Sequence, residues 1–333
     1  MTMFITIEAF LLKDSASSNM KSSLKKSAKH SLKLGKRLQQ IEKMATSEEY
    51  GHIWDCCCDH GLLGCALLNR QVEATISDTS SDMPVNIVSN TARNKDSDIH
   101  FVDIVPELMA ELENKLQRFY SSSLNTVIAK NWQTHCLDVA KLPLDQYDGK
   151  HLVIIAGIGG DLMIKFIEAI NQQHKSLAID FLLCPVHHQF SLRSKLIELD
   201  FSLIDEVLVE ENQRFYEVLL VSSSSAAESR VNSKINPVGD KIWLSDPRTQ
   251  LTIDSSGLSI KNSKEHSRKV SLSQAEIADK YLNKTLNHYQ RMQKGLQQSN
   301  KQDNQQTKTN NVNVDVQHII DAYRAVILPV LVN

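Results

Sequence analysis

Short apolar runs alternate with amphipathic stretches through the first two thirds of the chain. The runs begin near residue 53 and then cover residues 99–104, 132–139, 151–156 and 178–184. Unbroken apolar runs of this length predict buried parallel strands, and apolar residues spaced three or four apart between them predict helices. The pattern therefore predicts an α/β domain built on a mostly parallel sheet.

Two apolar runs of a different kind follow at residues 201–209 and 214–221. A short polar turn separates them, which predicts an antiparallel hairpin. Strand–helix alternation that ends in such a hairpin is the order of a Rossmann-like class I methyltransferase sheet. Right-handed crossovers in such a sheet place the first and fourth strands side by side.

Two amphipathic stripes lie near the C-terminus. One contains Ala278, Leu282, Leu286, Tyr289, Met292 and Leu296, and the other contains Ile319, Ile320, Tyr323, Ile327 and Val330. Their spacing and the polar stretch 299–313 between them predict an antiparallel helical hairpin, a coiled coil. We therefore divide the chain into an extension (1–30), a methyltransferase-like domain (31–222), an unassigned linker (223–273) with a strand-like piece at 242–244, and a helical hairpin (274–333).

Basic charge is concentrated in one segment. The net charge is −2, so the whole sequence does not indicate a nucleic-acid-binding protein. Between Lys21 and Lys43, however, there are eight Lys or Arg residues and one acid, Glu42, with apolar residues at helical spacing. This segment predicts an amphipathic helix whose basic face is either a solvated surface or a contact for phosphates.

The six cysteines fit no disulfide framework, and three of them, Cys56 to Cys58, are consecutive. Reduced thiols, and the absence of an apolar run of about 18 residues, predict a cytoplasmic protein without a membrane span. The first residues also lack the positive leading region of a signal peptide.

Asp55, Asp59 and His60 form the densest chemical cluster, at the end of the first strand, where parallel sheets bind ligands. The neighbouring cysteines are expected to pack as small apolar residues. Consecutive strand residues point to opposite faces, so these thiols cannot all reach one metal ion. A cysteine nucleophile paired with His60 would need an exposed thiol, which the strand context disfavours.

An acid at the end of the second strand commonly binds the ribose hydroxyls of a nucleotide cofactor. Asp78 has the customary spacing from the first strand but follows a poor strand, whereas Asp103 ends a convincing one, so we expect Asp103 in this role. Asp138 closes the third strand, where it either accepts from an adenine amino group or caps a turn. The glycines of the 157–160 turn either let a ligand approach the backbone or serve a plain tight turn.

Several short motifs occur in order along the chain. Residues 34–38 are L-G-K-R-L, residues 55–63 are D-C-C-C-D-H-G-L-L, and residues 155–160 are I-A-G-I-G-G. With the hairpin motifs at 203–207 and 215–219, they resemble the bacterial tRNA (adenine(22)-N1)-methyltransferase family. The family's corresponding motifs are L-S-K-R-L, D-I-G-S-D-H-A-Y-L and I-A-G-M-G-G, and its C-terminal coiled-coil domain resembles the predicted helical hairpin.

The resemblance implies an S-adenosylmethionine site and a tRNA substrate. The implied cofactor residues are Asp55, Cys57, Asp59, Gly61, Asp103, Ile104, Asp138, Val139, Ala156, Gly157 and Gly159. Asp59 is the expected base or positioning group, with His60 behind it, and the basic helix and the helical hairpin are the expected tRNA contacts. The chain departs from the family pattern at Cys57, at Leu137 and Val139, which replace glycines, and at residues 184–186, where Cys-Pro-Val replaces Q-P-N.

The leading hypothesis is an S-adenosylmethionine-dependent tRNA methyltransferase that acts on N1 of an adenine, at position 22 by resemblance. One alternative is a methyltransferase for another RNA or a small molecule. The other is a degenerate Rossmann domain that binds RNA without catalysis. The retained acids favour the first hypothesis, and the lost glycines favour the last.

Overall fold

A computed structural model describes residues 33–78, 97–120, 131–223, 233–244, 273–302 and 316–326. The predicted extension (1–30) lies outside these residues, as do positions 21–32 of the predicted basic helix. None of the helices described within these ranges is long and apolar enough to cross a membrane.

The elements follow the predicted alternation. The strands are β1 (His52–Cys56), β2 (Asp98–Asp103), β3 (Trp132–Cys136), β4 (His151–Ala156), β5 (Ile179–Cys184), β6 (Ser202–Glu211), β7 (Arg214–Ser222) and β8 (Ser233–Lys234). The helices are α1 (Lys36–Ala45), α2 (Leu62–Asp78), α3 (Pro106–Tyr120), α4 (Gly160–Gln173), α5 (Gln189–Glu198), α6 (Gln274–Gln302) and α7 (residues 316–324).

The chain forms two compact units, and the first consists of residues 1–157 and 165–183. Its strands are ordered β3-β2-β1-β4-β5, with β1 parallel to both β2 and β4. The predicted neighbourhood of the first and fourth strands is thus confirmed. Every residue of β1 and β5 is buried, which explains why apolar residues predominate in both strands; the polar exceptions are His52, Asp55 and Asp180.

The second unit consists of residues 158–164 and 184–333. In it β6 pairs antiparallel with β7, as the hairpin pattern predicted, and β8 adds to the other edge of β6. The two C-terminal helices run antiparallel, because Gln293 bonds Gln317 at 2.6 Å while Tyr289 stacks on Tyr323 at 6.0 Å. Ile327 and Val330 of the predicted second stripe lie outside the described residues.

Two short elements of the unassigned stretch 223–273 lie within the described residues. Residues 233–234 form β8, and residues 241–243 form a 3-10 turn in place of the predicted strand-like piece. Ile242 and Trp243 are buried in this turn and pack with Tyr281 and Tyr323 of the C-terminal helices. The burial of these two large side chains stabilises the segment, and their partners are distant in sequence.

Three further boundaries differ from the predictions. Residues 33–35 of the predicted basic helix are not helical, and α1 begins at Lys36, because Gly35 is extended at φ −67° and ψ 163°. Helix α2 continues through the polar residues 71–78, so Asp78 lies in a helix and not at a strand end. Strand β3 ends at Cys136, and Val139 begins a short 3-10 turn.

Candidate cofactor-binding site

The loop after β1 is wound tightly by three left-handed residues. Cys57, Asp59 and Gly61 have φ angles of 56°, 50° and 69°. The Cys58 backbone N–H donates to the Val102 carbonyl at 3.1 Å and ties the loop to β2. Cys57, which stands where the resembling family has a glycine, therefore keeps a glycine-like backbone conformation and carries the strain of a side chain there.

Two glycines flanking this loop are required by packing. A Cβ on Gly61 would lie 2.6 Å from Leu112 Cδ1, and a Cβ on Gly64 would lie 2.2 Å from Phe101 Cε1. Larger residues would push α2 away from the sheet and from α3. Close helix–strand approach is a known role of glycine in nucleotide-binding folds.

Asp55 is buried at the carboxyl end of β1, where its Oδ2 accepts from the Gly64 backbone N–H at 3.0 Å. Burial raises the pKa of Asp55 to about 7; the Gly64 hydrogen bond opposes the shift and the nearby Asp103 charge adds to it. The carboxyl group therefore fixes the start of α2 against the sheet.

Asp103 joins the ends of the first two strands. Its Oδ2 accepts from the Asp59 backbone N–H at 3.2 Å, and its Oδ1 accepts from the Val105 backbone N–H at 3.0 Å. Asp103 is only partly buried, and each carboxylate oxygen can accept more than one hydrogen bond. The prediction that Asp103, and not Asp78, ends the second strand is confirmed.

An exposed apolar residue follows Asp103 in the chain. Ile104, the next residue, is 66% exposed, which is high for a large aliphatic side chain, whereas Val139 is buried. An exposed Ile beside a strand-end acid offers a flat apolar surface of the kind that stacks against a purine.

Asp59 and His60, the predicted catalytic residues, lie on the exposed side of the same loop. Their side chains are 70% and 57% exposed, and Asp59 Oδ1 lies 3.6 Å from His60 Nε2. Both side chains therefore face solvent, in a position from which they can reach a substrate.

Asp138 caps the 3-10 turn that follows β3, since its Oδ1 accepts from the Ala140 backbone N–H at 2.9 Å. The turn-cap alternative is thus present in the structure. The second carboxylate oxygen does not take part in this cap, so the adenine-binding role stays a prediction.

The turn after β4 contains one glycine with room for a Cβ atom and two glycines without it. Gly157 has φ 84°, and the nearest atom to a Cβ there would be Arg37 Nη1 at 3.8 Å. Ala156 is half-buried beside it. At Gly159, by contrast, a Cβ would lie 2.2 Å from the His187 ring, and at Gly160 it would lie 2.7 Å from the His188 carbonyl.

The four cysteine side chains at and after the end of β1 do not suit nucleophilic catalysis. Burial is the main cause that raises the pKa of Cys57 to about 11 and of Cys65 to about 11, and it raises the pKa values of Cys56 and Cys58 as well. The thiols therefore stay protonated at neutral pH. Across the parts of the chain that the structure describes, no group of three or more His, Cys, Asp or Glu side chains is placed to hold a metal ion.

Residues 72–219 match the family of methyltransferase domains. The matched residues make up less than half of the chain. The match begins inside α2 and ends in β7, so it covers the second to fifth strands and most of the hairpin. No curated protein matches the chain.

Solved structures resemble the chain over most of its length. An uncharacterized protein from Listeria monocytogenes serotype 4b has a TM-score of 0.53 at 15% identity, over 88% of this chain and 98% of that one. M. capricolum TrmK, in complex with S-adenosyl-homocysteine, has a TM-score of 0.51 at 14% identity, over 87% and 96%. The B. subtilis M1A22 tRNA methyltransferase TrmK has a TM-score of 0.50 at 17% identity, over 88% and 98%. At these identities the likeness shows the fold, which is the Rossmann-like methyltransferase fold that the strand pattern predicted.

Two features of the described structure were missed by the sequence analysis. Arg37, within the L-G-K-R-L motif, reaches Gly157, although the motif was used only as a family marker. Asp161 and His188 form an ion pair at 2.7 Å, although 27 residues separate them in sequence. The motif position could have indicated Arg37, whereas no local pattern marks the second pair.

Proposed function

We propose that this protein is an S-adenosylmethionine-dependent RNA methyltransferase that methylates N1 of an adenine in tRNA. The observation that carries the proposal is the arrangement of Asp103 and Ile104 at the carboxyl end of β2. The Asp103 carboxylate is held by two backbone donors and can accept from the two hydroxyls of a ribose. The exposed Ile104 then provides an apolar surface for the adenine of the cofactor.

The methyltransferase fold and the solved relatives support this assignment. M. capricolum TrmK was solved with S-adenosyl-homocysteine, and B. subtilis TrmK is named an M1A22 tRNA methyltransferase. When bound, S-adenosylmethionine supplies an electrophilic methyl group. The chain must then hold the cofactor and bring the adenine N1 in line with that methyl, and positioning of this kind can supply much of the rate enhancement. In this proposal Asp59 orients the target base, because its carboxylate is exposed on the loop that Asp103 anchors.

The alternative of a non-catalytic Rossmann domain rested on the lost motif glycines, which include the one that Cys57 replaces. Since Cys57 has φ 56°, the loop keeps the left-handed conformation that the glycine would provide. The backbone reason for expecting a lost cofactor site is therefore weakened, and the catalytic proposal is the better supported of the two.

Helix α6 provides a surface suited to tRNA. Between residues 280 and 302 it contains no Asp or Glu, and its exposed basic residues include Lys280, Arg291 and Lys294. At 100° per residue these three side chains lie within a sector of about 60° and span about 21 Å along the helix. A basic stripe of that length matches several successive phosphates of an RNA strand.

Calorimetry with S-adenosylmethionine tests the cofactor assignment. We expect Asp103→Ala to weaken binding by about 1.5–3 kcal/mol, the cost of losing a charged hydrogen-bond acceptor. Asp78→Ala, at the end of α2, serves as the matched control and leaves affinity unchanged. Equal losses in the two variants, or no binding by wild type, contradict the proposed site.

A further inference from the structure

The first turn of α1 is held in place within the first unit. Gly35, which precedes the helix, is extended at φ −67° and ψ 163°. The Gln39 Nε2 amide donates to the Leu34 carbonyl at 2.8 Å, and the side chains of Leu34 and Ile41 are buried. These contacts fix the backbone from which the Arg37 side chain extends.

The Arg37 guanidinium reaches the turn after β4. A Cβ on Gly157 would lie 3.8 Å from Arg37 Nη1. Apart from the residues next to Gly157 in the chain, no other atom that the structure describes lies within 4 Å of that point. Both residues belong to the first unit. The space over Gly157 is therefore open, and a guanidinium borders it.

This space lies at the point where the strand order reverses. The sheet runs β3-β2-β1-β4-β5, so the reversal falls between β1 and β4. The register pairs Cys56 with Ile155, which places Gly157 beyond the paired end of β4 and beside the loop that follows β1. Ligands of open α/β sheets bind in the crevice at this switch point, so Arg37 borders the place expected for a cofactor.

The distance from Asp103 suits an extended cofactor. Strands β2 and β4 flank β1, so their ends are two strand spacings apart, about 10 Å. In S-adenosylmethionine about eight bonds join a ribose hydroxyl oxygen to the carboxylate carbon. An extended chain advances about 1.2 Å per bond, so these bonds also cover about 10 Å. A cofactor whose ribose is bound by Asp103 can therefore bring its carboxylate to the turn after β4.

The charges at this edge of the sheet suit one part of the cofactor poorly. Asp59, Asp103 and Asp138 all follow or end the first three strands, and none of their side chains is buried. These carboxylates attract the sulfonium and ammonium groups of S-adenosylmethionine and repel its carboxylate. The cofactor carboxylate therefore requires a cation of the protein, and the guanidinium beside Gly157 provides one.

We propose that Arg37 binds the carboxylate of the methionine moiety of S-adenosylmethionine in the space over Gly157. This inference rests on the proposed function and adds a specificity residue to its cofactor site. The planar guanidinium donates two parallel hydrogen bonds to a carboxylate, which fixes the orientation of the bound group as well as its position. Arg37 thereby selects a cofactor with an intact amino-acid chain over other adenine nucleosides.

The test compares two ligands by calorimetry on variants of the full chain. One ligand is S-adenosyl-homocysteine, and the other is its analogue without the carboxylate, in which an aminopropyl group replaces the amino-acid chain. Arg37→Gln removes the charge, and Arg37→Lys keeps the charge but loses the paired hydrogen bonds. Arg70→Gln is the matched control, because Arg70 contacts α1 through Glu42 at 4.0 Å but lies in the third turn of α2.

We expect Arg37→Gln to weaken S-adenosyl-homocysteine binding by about 10- to 100-fold, the range for losing a charge-assisted hydrogen bond. Arg37→Lys should weaken it by a smaller factor. Wild type should bind the analogue more weakly than S-adenosyl-homocysteine, and both Arg37 variants should bind the analogue as wild type does. Arg70→Gln should match wild type for both ligands. The melting temperature of each variant shows whether it folds, and if Arg37→Gln does not, the same comparison on Arg37→Lys decides.

Three results would overturn the inference and leave the cofactor assignment intact. If the Arg37 variants bind S-adenosyl-homocysteine as wild type does, the carboxylate lies elsewhere. If they lose the same factor for both ligands, Arg37 shapes the loop and does not contact the carboxylate. If they keep cofactor affinity but bind tRNA more weakly, Arg37 contacts a phosphate. Wild type that binds neither ligand contradicts the proposed function itself.

Discussion

A tyrosine hydroxyl donates to a buried ionic network in the second unit. The Tyr281 hydroxyl of α6 donates to Glu217 Oε1 at 2.6 Å, and Arg193 Nε donates to Glu217 Oε2 at 2.7 Å. Arg193 and Glu217 are fully buried and Tyr281 is 6% exposed. Burial, followed by the Glu217 charge, raises the pKa of Tyr281 well above its usual range, so the hydroxyl remains a donor at neutral pH.

Tyr281→Phe removes that donor and keeps the ring, which stacks on Trp243 at 5.6 Å. A buried carboxylate then loses one of its hydrogen bonds, which costs about 1.5–3 kcal/mol. Tyr289→Phe is the matched control in the same helix, because Tyr289 packs through its ring on Tyr323 and keeps that contact. For this control we expect a change below about 0.5 kcal/mol.

Urea denaturation followed by tryptophan fluorescence measures both variants. The reasoning predicts a lower midpoint for Tyr281→Phe at an unchanged slope, since the surface exposed on unfolding is the same. A loss below about 0.5 kcal/mol, or equal losses in the two variants, would refute the claim that the hydroxyl stabilises the Glu217 charge.

Three further predictions concern pH, strain and tRNA. Burial is the first cause that lowers the pKa values of His100 to about 3 and of His151 to about 4, so stability from their neutral rings is complete above pH 6.5 and is lost as the pH falls toward 4. When the pH is lowered from 7 to 5, the free energy of unfolding of His100→Phe, measured by urea denaturation, should therefore fall by about 2 kcal/mol less than that of wild type. Asp55 contributes equally in both proteins, so its opposite pH dependence cancels in the comparison. An equal fall in the two proteins contradicts the prediction. Cys57→Gly should raise stability by up to about 1 kcal/mol without weakening cofactor binding, because it relieves the left-handed strain, and a lower melting temperature would show that the side chain stabilises the loop. Replacing Lys280, Arg291 and Lys294 by Gln should reduce the slope of log K against log salt for tRNA binding by up to about 3 while cofactor affinity is kept, and an unchanged slope identifies the stripe as a solvated surface.

The strands, and the position of Asp103 at the end of one, were predictable because their signals are local. A strand buried on both faces, such as β4, must be apolar throughout, so its sequence alone marks it. Asp103 followed from the strand that precedes it. The register that sets Asp55 opposite Phe101, two strand positions before Asp103, then brings the first loop to that carboxylate.

The remaining features depend on contacts between distant residues. Residues 241–243 form a short, isolated and mainly apolar stretch of the sequence, and their packing against the C-terminal helices stabilises the 3-10 turn. The start of α1 at Lys36 depends on the extended Gly35, while α2 extends beyond its apolar stripe to Asp78. The side chain of His187 crowds Gly159, and the backbone of His188 crowds Gly160. These contacts join residues that are distant in sequence. The sequence analysis weighed only a ligand-binding turn and a plain tight turn, so it did not foresee that packing requires these two glycines.

The most direct test of the central claim is the methylation of unmodified tRNA by the purified protein. The protein is incubated with labelled S-adenosylmethionine, and the tRNA is digested and its nucleosides are identified by mass spectrometry. The account predicts N1-methyladenosine from wild type, and turnover lowered by about 10²–10⁴-fold in Asp59→Ala at an unchanged melting temperature. Cofactor binding without any methylated tRNA would contradict the proposed reaction, and full turnover by Asp59→Ala would contradict the role assigned to that carboxylate.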